Sequence, residues 1–310
     1  MNSYHTPVLL NQVIEVLKPN STKVYIDATL GNAGHSIKLL QAGATVFGID
    51  LDPNNLNIAT KRIKADGLNH NFIGINDNFN NIAAIHRQFI KKPVDGILFD
   101  LGLSQGQQKS QGRGFSFKDE SSLDMRINPD KQTITASQIV NTYSQQQLFD
   151  IFSKLGQDKY SQQIASKIIN TRKQQPIDTA KDLASLVKDV YQSQHHQGRL
   201  HPATKVFLTL KITVNQELFN LTKALEDSLN IVKPNGHMAI ITFHSTEDRL
   251  VKNFIKTQLR KQTIYNPTKT KPSFDETKSN PLSRSALLRT FQIKWNPTLC
   301  PLLLSYSYKS

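Results

Sequence analysis

Cysteine is almost absent: Cys300 is the only one in 310 residues. An internal disulfide is therefore excluded, and a reducing compartment, the cytoplasm by default, is expected. No continuous apolar run reaches the roughly 18 to 20 residues of a membrane span. The opening MNSYHTPVLL has neither a basic leader nor a cleavage site, so neither a membrane role nor a signal peptide is expected. His195, His196 and His201 lie close together, yet no carboxylate or thiolate at metal-ligand spacing accompanies them, and no catalytic metal is expected. Acidic residues are scarce beside basic ones, 24 against 38, which leaves a net charge of +14 and favours a polyanionic partner such as nucleic acid. From Arg249 to the end there are 12 lysines and arginines against two acidic residues, a net of +10, so most of that charge sits in the tail.

What is present is a chain long enough for one large or two modest domains. Near-continuous apolar runs predict strands at 23–30, 44–52, 71–77 and 94–102, with helices between them at about 35–42, 53–65 and 80–91. That alternation is the pattern of an α/β doubly wound sheet. From about residue 106 the text changes to the polar, Gln-rich QGQQKSQGRGFSF and then to helical periodicity alone. Leu148, Ile151, Phe152 and Leu155 follow a capping box at Ser144 and Gln147, and Leu183, Leu186, Val187 and Val190 follow Thr179. The predicted organisation is a discontinuous core, residues 1–105 and 201–310, interrupted by a helical insert at 106–200 that serves substrate recognition. After it, a long helix is expected from Pro202 through Leu225 to a stop at Pro234-Asn-Gly236. A strand at 237–244, a helix over EDRLVKNFIKTQL and a late strand at 287–295 should follow.

In such sheets ligands sit beyond the carboxyl ends of the strands. DATLGNAGHS, residues 27–36, occupies that place after strand one, where Gly31 and Gly34 suit close backbone approach to a cofactor. Asp50, ending strand two in GIDLD, is placed to accept the two ribose hydroxyls of an adenosine moiety. NAD and S-adenosylmethionine both present that ribose. GNAGH lacks the spacing of the dinucleotide fingerprint, and the acidic Asp27 suits a cationic sulfonium and amino group better than a phosphate. S-adenosyl-L-methionine is therefore the better ligand.

HTPVLL at 5–10, DATLGNAGHS, GIDLDP, DGILFDLGLS at 95–104, RGFSF at 113–117, LDMR at 123–126, HPATKVFLTLKITVNQEL at 201–218, FHSTEDRLVK at 243–252 and SRSALLR at 283–289 stand in one order. Together they resemble the bacterial small-subunit (16S) rRNA cytosine-N4 methyltransferase family, also known as the MraW family, from about residue 5 to 290. The resemblance implies a class I S-adenosylmethionine-dependent methyltransferase core, Rossmann-like, with an inserted all-helical domain. It implies methylation of the exocyclic amine of a decoding-region cytidine, with small-subunit ribosomal RNA or the small ribosomal subunit as partner. It also places the cofactor against Ala33, Gly34, His35, Asp50, Phe79, Asp100 and Gln107. Phe79, in the loop after strand three, could pack on adenine or simply in the core. Where the family has two glycines before the histidine this chain has Ala33-Gly34; an alanine is expected to need φ < 0, at some cost in cofactor affinity. Lys205 and Lys211 stand where the family has arginine, and lysine cannot copy a bidentate arginine contact.

The thiol needed for methylation at cytosine C5 is missing from every loop that should line the site, which disfavours that chemistry. An exocyclic amine needs less: acceptors that hold its hydrogens and localise its lone pair. DLGLS, residues 100–104, offers Asp100 and Ser104, and Asp100 is the expected orienter and proton acceptor. His35 and His244 are alternative bases near neutral pH, or hydrogen-bonding residues. RNA contacts are expected at Arg113, Phe115 and Arg126, at Lys205, Lys211 and His244, and at Arg284 and Arg289 in the basic tail. Two competing readings share these features: an NAD-dependent oxidoreductase, and an RNA-binding protein that kept the fold without the chemistry.

Overall fold

The computed structural model of the chain describes residues 6–102, 112–117, 120–196, 198 and 201–294. Ser104, Gln107 and Cys300, singled out above, lie outside them. The chain falls into two compact units, Met1–Ser104 with Leu218–Ser310, and Gln105–Glu217.

The first unit is built on strands that form where apolar residues run together: β1 (Val24–Asp27), β2 (Thr45–Asp50), β3 (Phe72–Asn76), β4 (Val94–Asp100) and β5 (Val232–Thr242). All five are parallel, in the order β3-β2-β1-β4-β5. β6 (Ile264–Thr270) and β7 (Leu287–Ile293) complete the sheet, with β7 antiparallel between β5 and β6. This is a Rossmann-like, doubly wound architecture, and its strand order reverses between β1 and β4, where a ligand crevice forms. Period-two alternation explains the near-continuous apolar runs. Ile26, Phe47 and Phe99 enter the core on one face; Tyr25, Val46 and Leu98 enter the core on the other. Each fully buried side chain of this kind stabilises the fold by about 1.5–3 kcal/mol.

Among the elements of this unit that were not predicted are a helix and a strand. The short helix α1 (Leu10–Leu17) buries Val13 and Leu17 under the sheet. β6 is an exposed edge strand, IYNPTKT, with a bulge between Tyr265 and Thr268. Proline and lysine protect an edge but erase the alternation by which a strand is read. The stop at Pro234-Asn-Gly236 is also corrected. The preceding helix ends at Ser228, and Pro-Asn-Gly lies inside β5, at the register shift opposite Val94 and Gly96.

The second unit is helical. Ser144 Oγ accepts from the Gln147 amide at 3.2 Å and Gln147 Oε1 accepts from the Ser144 amide at 2.8 Å, the predicted capping box. Thr179 likewise caps the helix Ala180–Ser193. Leu148, Phe152, Leu183 and Val187 meet in one core, together with Val206, Phe207 and Leu210. The last three belong to the helix Thr204–Val214, so that helix packs with the insert and the return to the sheet comes at Leu218, not residue 201. The expected single long helix is two, broken at Asn215 and the left-handed Gln216. Asn215, buried, donates to Met125 O and Lys211 O and accepts from the Ile127 amide and Gln132 Nε2. A helix continuing through this residue would forgo those long-range bonds, which periodicity alone does not reveal.

Candidate active site

Parallel register brings three carboxylates to one edge of the sheet. Asp27 ends β1 opposite Gly48 and Leu98, Asp50 ends β2 opposite Asn76, and Asp100 ends β4 opposite Ile241. The loop after β1 is held to its neighbours by backbone bonds from Ala28 to Leu98 O and from Leu30 to Ile49 O, both 2.9 Å. Asp27 is almost wholly buried; it accepts from Ser36 Oγ at 2.7 Å and from the Thr29 amide at 3.3 Å. Burial raises its pKa above the ordinary carboxylate value, despite those bonds. Those bonds make it a fastener of the loop.

Gly31 adopts φ +52° and its amide donates to Asp50 Oδ2 at 2.8 Å. Gly34 has another reason to lack a side chain: a Cβ there would sit 2.3 Å from Cγ of Pro7. Ala33 departs from expectation, adopting φ +61° while fully buried. The left-handed region costs an L-residue roughly 1–2 kcal/mol, and the surrounding loop and the start of α2 (Gly34–Gln41) impose it. Ala33→Gly should relieve that strain but lose about 0.8 kcal/mol of buried methyl and about 0.4–1 kcal/mol through a looser unfolded chain. The terms oppose, and a stability change within about 1 kcal/mol is expected by chemical denaturation. A larger gain would show that the alanine strains the loop more than its geometry implies.

Asp50 accepts from the Gly31 and Asp52 amides, each at 2.8 Å, with Asn55 Nδ2 at 3.5 Å. It is 8% exposed, and burial pushes its pKa up to about 7. Phe79, just after β3, is half-buried and meets Phe99 edge-on at 5.8 Å. Its ring therefore packs on the core and also borders the strand edge.

The remaining groups point to a missing partner. His35 is 5% exposed, and neither ring nitrogen has a hydrogen-bond partner. Its Nε2 lies 3.5 Å from Oδ2 of Asp100, whose side chain is 24% exposed and whose Oδ1 is buried and unbonded. Asn32 Oδ1 is in the same condition. The Asp100 backbone is pinned by its amide donating to Thr29 Oγ1 at 2.6 Å. Buried polar atoms without partners are rare and costly, so the His35–Asp100 pair at the end of β4, with Asn32 in the same loop as His35, marks a place shaped for a polar ligand. Asn32, Thr29 and Ser36 were not singled out from sequence; their position inside DATLGNAGHS was the signal.

The expected RNA residues divide by what their side chains already do. Arg126 donates from Nε and Nη2 to both oxygens of Asp124 at 2.7 Å, and from Nη1 to Gln132 O at 2.9 Å, closing its own loop. Arg113 donates to Ile127 O at 3.0 Å with its guanidinium 5.7 Å from the Phe115 ring, which packs on the helical core. Lys211 pairs with Glu217 at 3.1 Å and exposed Lys205 donates to Gln157 O at 3.0 Å. His244 is an N-cap: its Nδ1 accepts from the Glu247 amide at 3.3 Å, and Glu247 Oε2 accepts from the Phe243 amide at 2.9 Å. Arg289, on β7, is held bidentate by Asp248 at 2.6 and 3.2 Å. Arg126, His244 and Arg289 are thus occupied in holding the fold, which sequence neighbours could not disclose. Arg284 is exposed.

Arg289→Ala should strand Asp248 and destabilise the first unit by about 2 kcal/mol, less than a fully buried pair because Asp248 keeps partial solvent access. Denaturant unfolding would measure it. Unchanged stability with weakened RNA binding would return Arg289 to the RNA surface.

The model of the MraW methylase family matches residues 2–294. The protein called ribosomal RNA small subunit methyltransferase H in Coprothermobacter proteolyticus is 40% identical over 292 residues, covering 93% of this chain and 95% of that one. Its namesake in Heliobacterium mobile is 36% identical over 313 residues, covering 94% and 99%. That of Halothermothrix orenii is 37% identical over 305 residues, covering 92% and 97%.

Proposed function

The chain belongs to the MraW methylase family, and from that premise we propose that the strand edge carrying Asp50, His35 and Asp100 is where it methylates a cytidine of small-subunit rRNA at N4. The protein is an S-adenosyl-L-methionine-dependent rRNA methyltransferase. The observation that carries the site assignment is the set of unsatisfied buried atoms on His35, Asp100 and Asn32 beside the Asp50 carboxylate. They fit a ligand with a diol at one end and charged polar groups at the other.

In this reading Asp50 holds the ribose hydroxyls and Phe79 borders the adenine. Ala33, Gly34 and His35 line the amino-acid end, and Gln107 belongs to the same cofactor set. Bound there, S-adenosylmethionine supplies an electrophilic methyl group on a sulfonium. The chain's own contribution is positional and electrostatic. An exocyclic amine shares its lone pair with the ring, and an acceptor on its hydrogen localises that pair for in-line attack. Asp100 Oδ1 is the acceptor, and it would take the proton released as the N–C bond forms and the methyl–sulfur bond breaks, the cofactor departing as a neutral thioether; Ser104 is assigned to the same amine. Desolvation at the crevice strengthens such an interaction relative to water. The helical unit, which leaves the sheet just beyond Asp100 in the chain, is assigned to substrate recognition through Arg113 and Phe115, with Lys205 and Lys211 as further contacts.

The finer assignments extend the same reading: a decoding-region cytidine, an assembled small subunit as substrate, and a cytoplasmic location. Among the described residues no helix is long and apolar enough to cross a membrane. The test is tritiated methyl transfer from the cofactor to small subunits lacking the modification, followed by nucleoside mass spectrometry. N4-methylcytidine at a single position is the expected product. A different methylated nucleoside would overturn the N4 assignment, and binding without incorporation would leave an RNA-binding protein.

A further inference from the structure

At the carboxyl end of β5 a cleft of about 460 Å³ opens beside the start of the helix Ser245–Arg260. Thr242, Phe243, Lys271, Thr277 and Arg284 are among the residues that line it. Its cations differ from two of the arginines expected to contact RNA. Arg126 and Arg289 are held by carboxylates within the chain. Lys271 and Arg284 are exposed and make no ion pair or side-chain hydrogen bond among the described residues. Of the acidic groups nearby, Asp248, on the cleft wall, is held bidentate by Arg289, Glu276 accepts from the Leu9 amide at 2.6 Å, and Asp275, exposed next to Phe274, is not among the residues that line the cleft. Of the charged side chains that line the cleft, Asp248 is thus already paired, while Lys271 and Arg284 have no carboxylate partner among the described residues.

An aromatic side chain stands beside it. Phe274 opens the short helix Phe274–Ser279 and is 80% exposed, the most exposed of the large apolar side chains described. Thr277 lines the cleft, and a residue three positions earlier on a helix shares its face. Two unpaired cations with an exposed ring alongside are the elements of a single-strand nucleic-acid site, where cations track the phosphates and a base stacks on the ring.

The cleft also adjoins the reaction site. Asp100 pairs in register with Ile241, one residue before Thr242, and adjacent strands lie roughly 4.8 Å apart. A Cβ on Gly102 would come within 2.8 Å of the Phe243 ring, so that ring joins the end of β4 to the cleft wall. The cleft therefore opens next to the strand end that carries Asp100.

We infer that this cleft binds the rRNA backbone next to the target cytidine, with Lys271 and Arg284 on phosphate oxygens and Phe274 stacking a neighbouring unpaired base. The inference rests on the reading of the chain as an rRNA methyltransferase, and it adds a substrate-positioning surface on the first unit. It selects Arg284 from the basic tail and brings in Lys271 and Phe274, which sequence motifs did not mark.

The experiment compares wild type, the Lys271→Ala/Arg284→Ala double variant, Phe274→Ala, and a charge-matched control, Lys252→Ala/Lys256→Ala, on the outer part of the helix Ser245–Arg260. The probe is small ribosomal subunits lacking the modification, with binding measured across a salt series and methyl transfer measured under steady-state conditions. The cleft double variant should raise KM and Kd for RNA by about tenfold or more and flatten the log–log salt slope by about 1.4, as loss of two single-strand phosphate contacts requires. Phe274→Ala should weaken binding by about 5- to 100-fold with little change in the salt slope. Cofactor affinity and thermal unfolding should be unchanged in all variants, since these side chains are exposed. RNA affinity and slope equal to wild type in the double variant, or an equal loss in the control, would overturn the cleft assignment while leaving the methyltransferase reading intact. A wild-type protein that neither binds nor methylates these subunits would overturn both.

Discussion

Asp100→Asn should lower kcat for methyl transfer by about 10²- to 10⁴-fold, the usual range for loss of a positioned proton acceptor. The substitution keeps the size of the side chain and leaves the backbone pinned by Thr29, so the loop has little reason to move. What it removes is an anionic oxygen that is buried and unbonded in the protein by itself. An amide at that atom cannot take the amine proton, and its NH₂ group can rotate to oppose the incoming hydrogens. Single-turnover measurements at saturating cofactor and RNA separate chemistry from binding. A kcat unchanged within twofold, with only the cofactor KM raised, would show that Asp100 serves the cofactor alone.

Asp50→Asn should weaken S-adenosylmethionine by about 10²-fold or more, because hydrogen bonds from a diol to a carboxylate contribute about 1.5–3 kcal/mol each. The pH dependence carries the sharper signature. With its pKa near 7 in the cofactor-free fold, Asp50 holds a proton across most of the acidic range. Only the ionised carboxylate accepts both hydroxyls, so cofactor affinity should rise about tenfold per pH unit below 7 and level off above it. In Asp50→Asn that slope should disappear. The same shift has a stability consequence of opposite sense. Below about pH 4 both states hold the proton; between about pH 4 and 7 the unfolded chain releases it first, so the free protein loses up to about 4 kcal/mol as pH rises. Above 7 this contribution is constant. Calorimetry in buffers of different ionisation enthalpy should register proton release on cofactor binding near neutral pH. A flat affinity profile from pH 5 to 8 would rule out Asp50 as the titrating contact.

How far the site was legible follows from the range of the forces involved. Ser144 and Thr179 were readable as helix caps because a cap joins residues three apart, and both form as predicted. The strands ending in Asp27, Asp50 and Asp100 were readable because burial on both faces demands unbroken apolar runs. β6 escaped because an exposed edge strand has no core to write a pattern into its sequence. The helix break at Asn215 escaped because its side-chain bonds reach residues more than 80 positions away. Ala33 could not be assigned its left-handed backbone from the sequence, since the loop around it, not the alanine, imposes that conformation.

The periodicity of apolar residues determined the fold class and the helical stretch, the glycine loop with Asp27 and Asp50 favoured the cofactor, and the resemblance carried by the ordered motifs implied the reaction. Tertiary structure alone decided which charged groups have work left to do. Arg289 and Arg284 lie five residues apart in one basic motif, yet Asp248 closes on the first while the second stands exposed at a cleft. Asp27 and Asp100 end neighbouring strands, yet Ser36 and Thr29 satisfy the first while the second keeps a buried oxygen without a partner. Pairing and burial are set by residues distant in sequence, and it is they that leave a carboxylate or a cation free to meet a ligand.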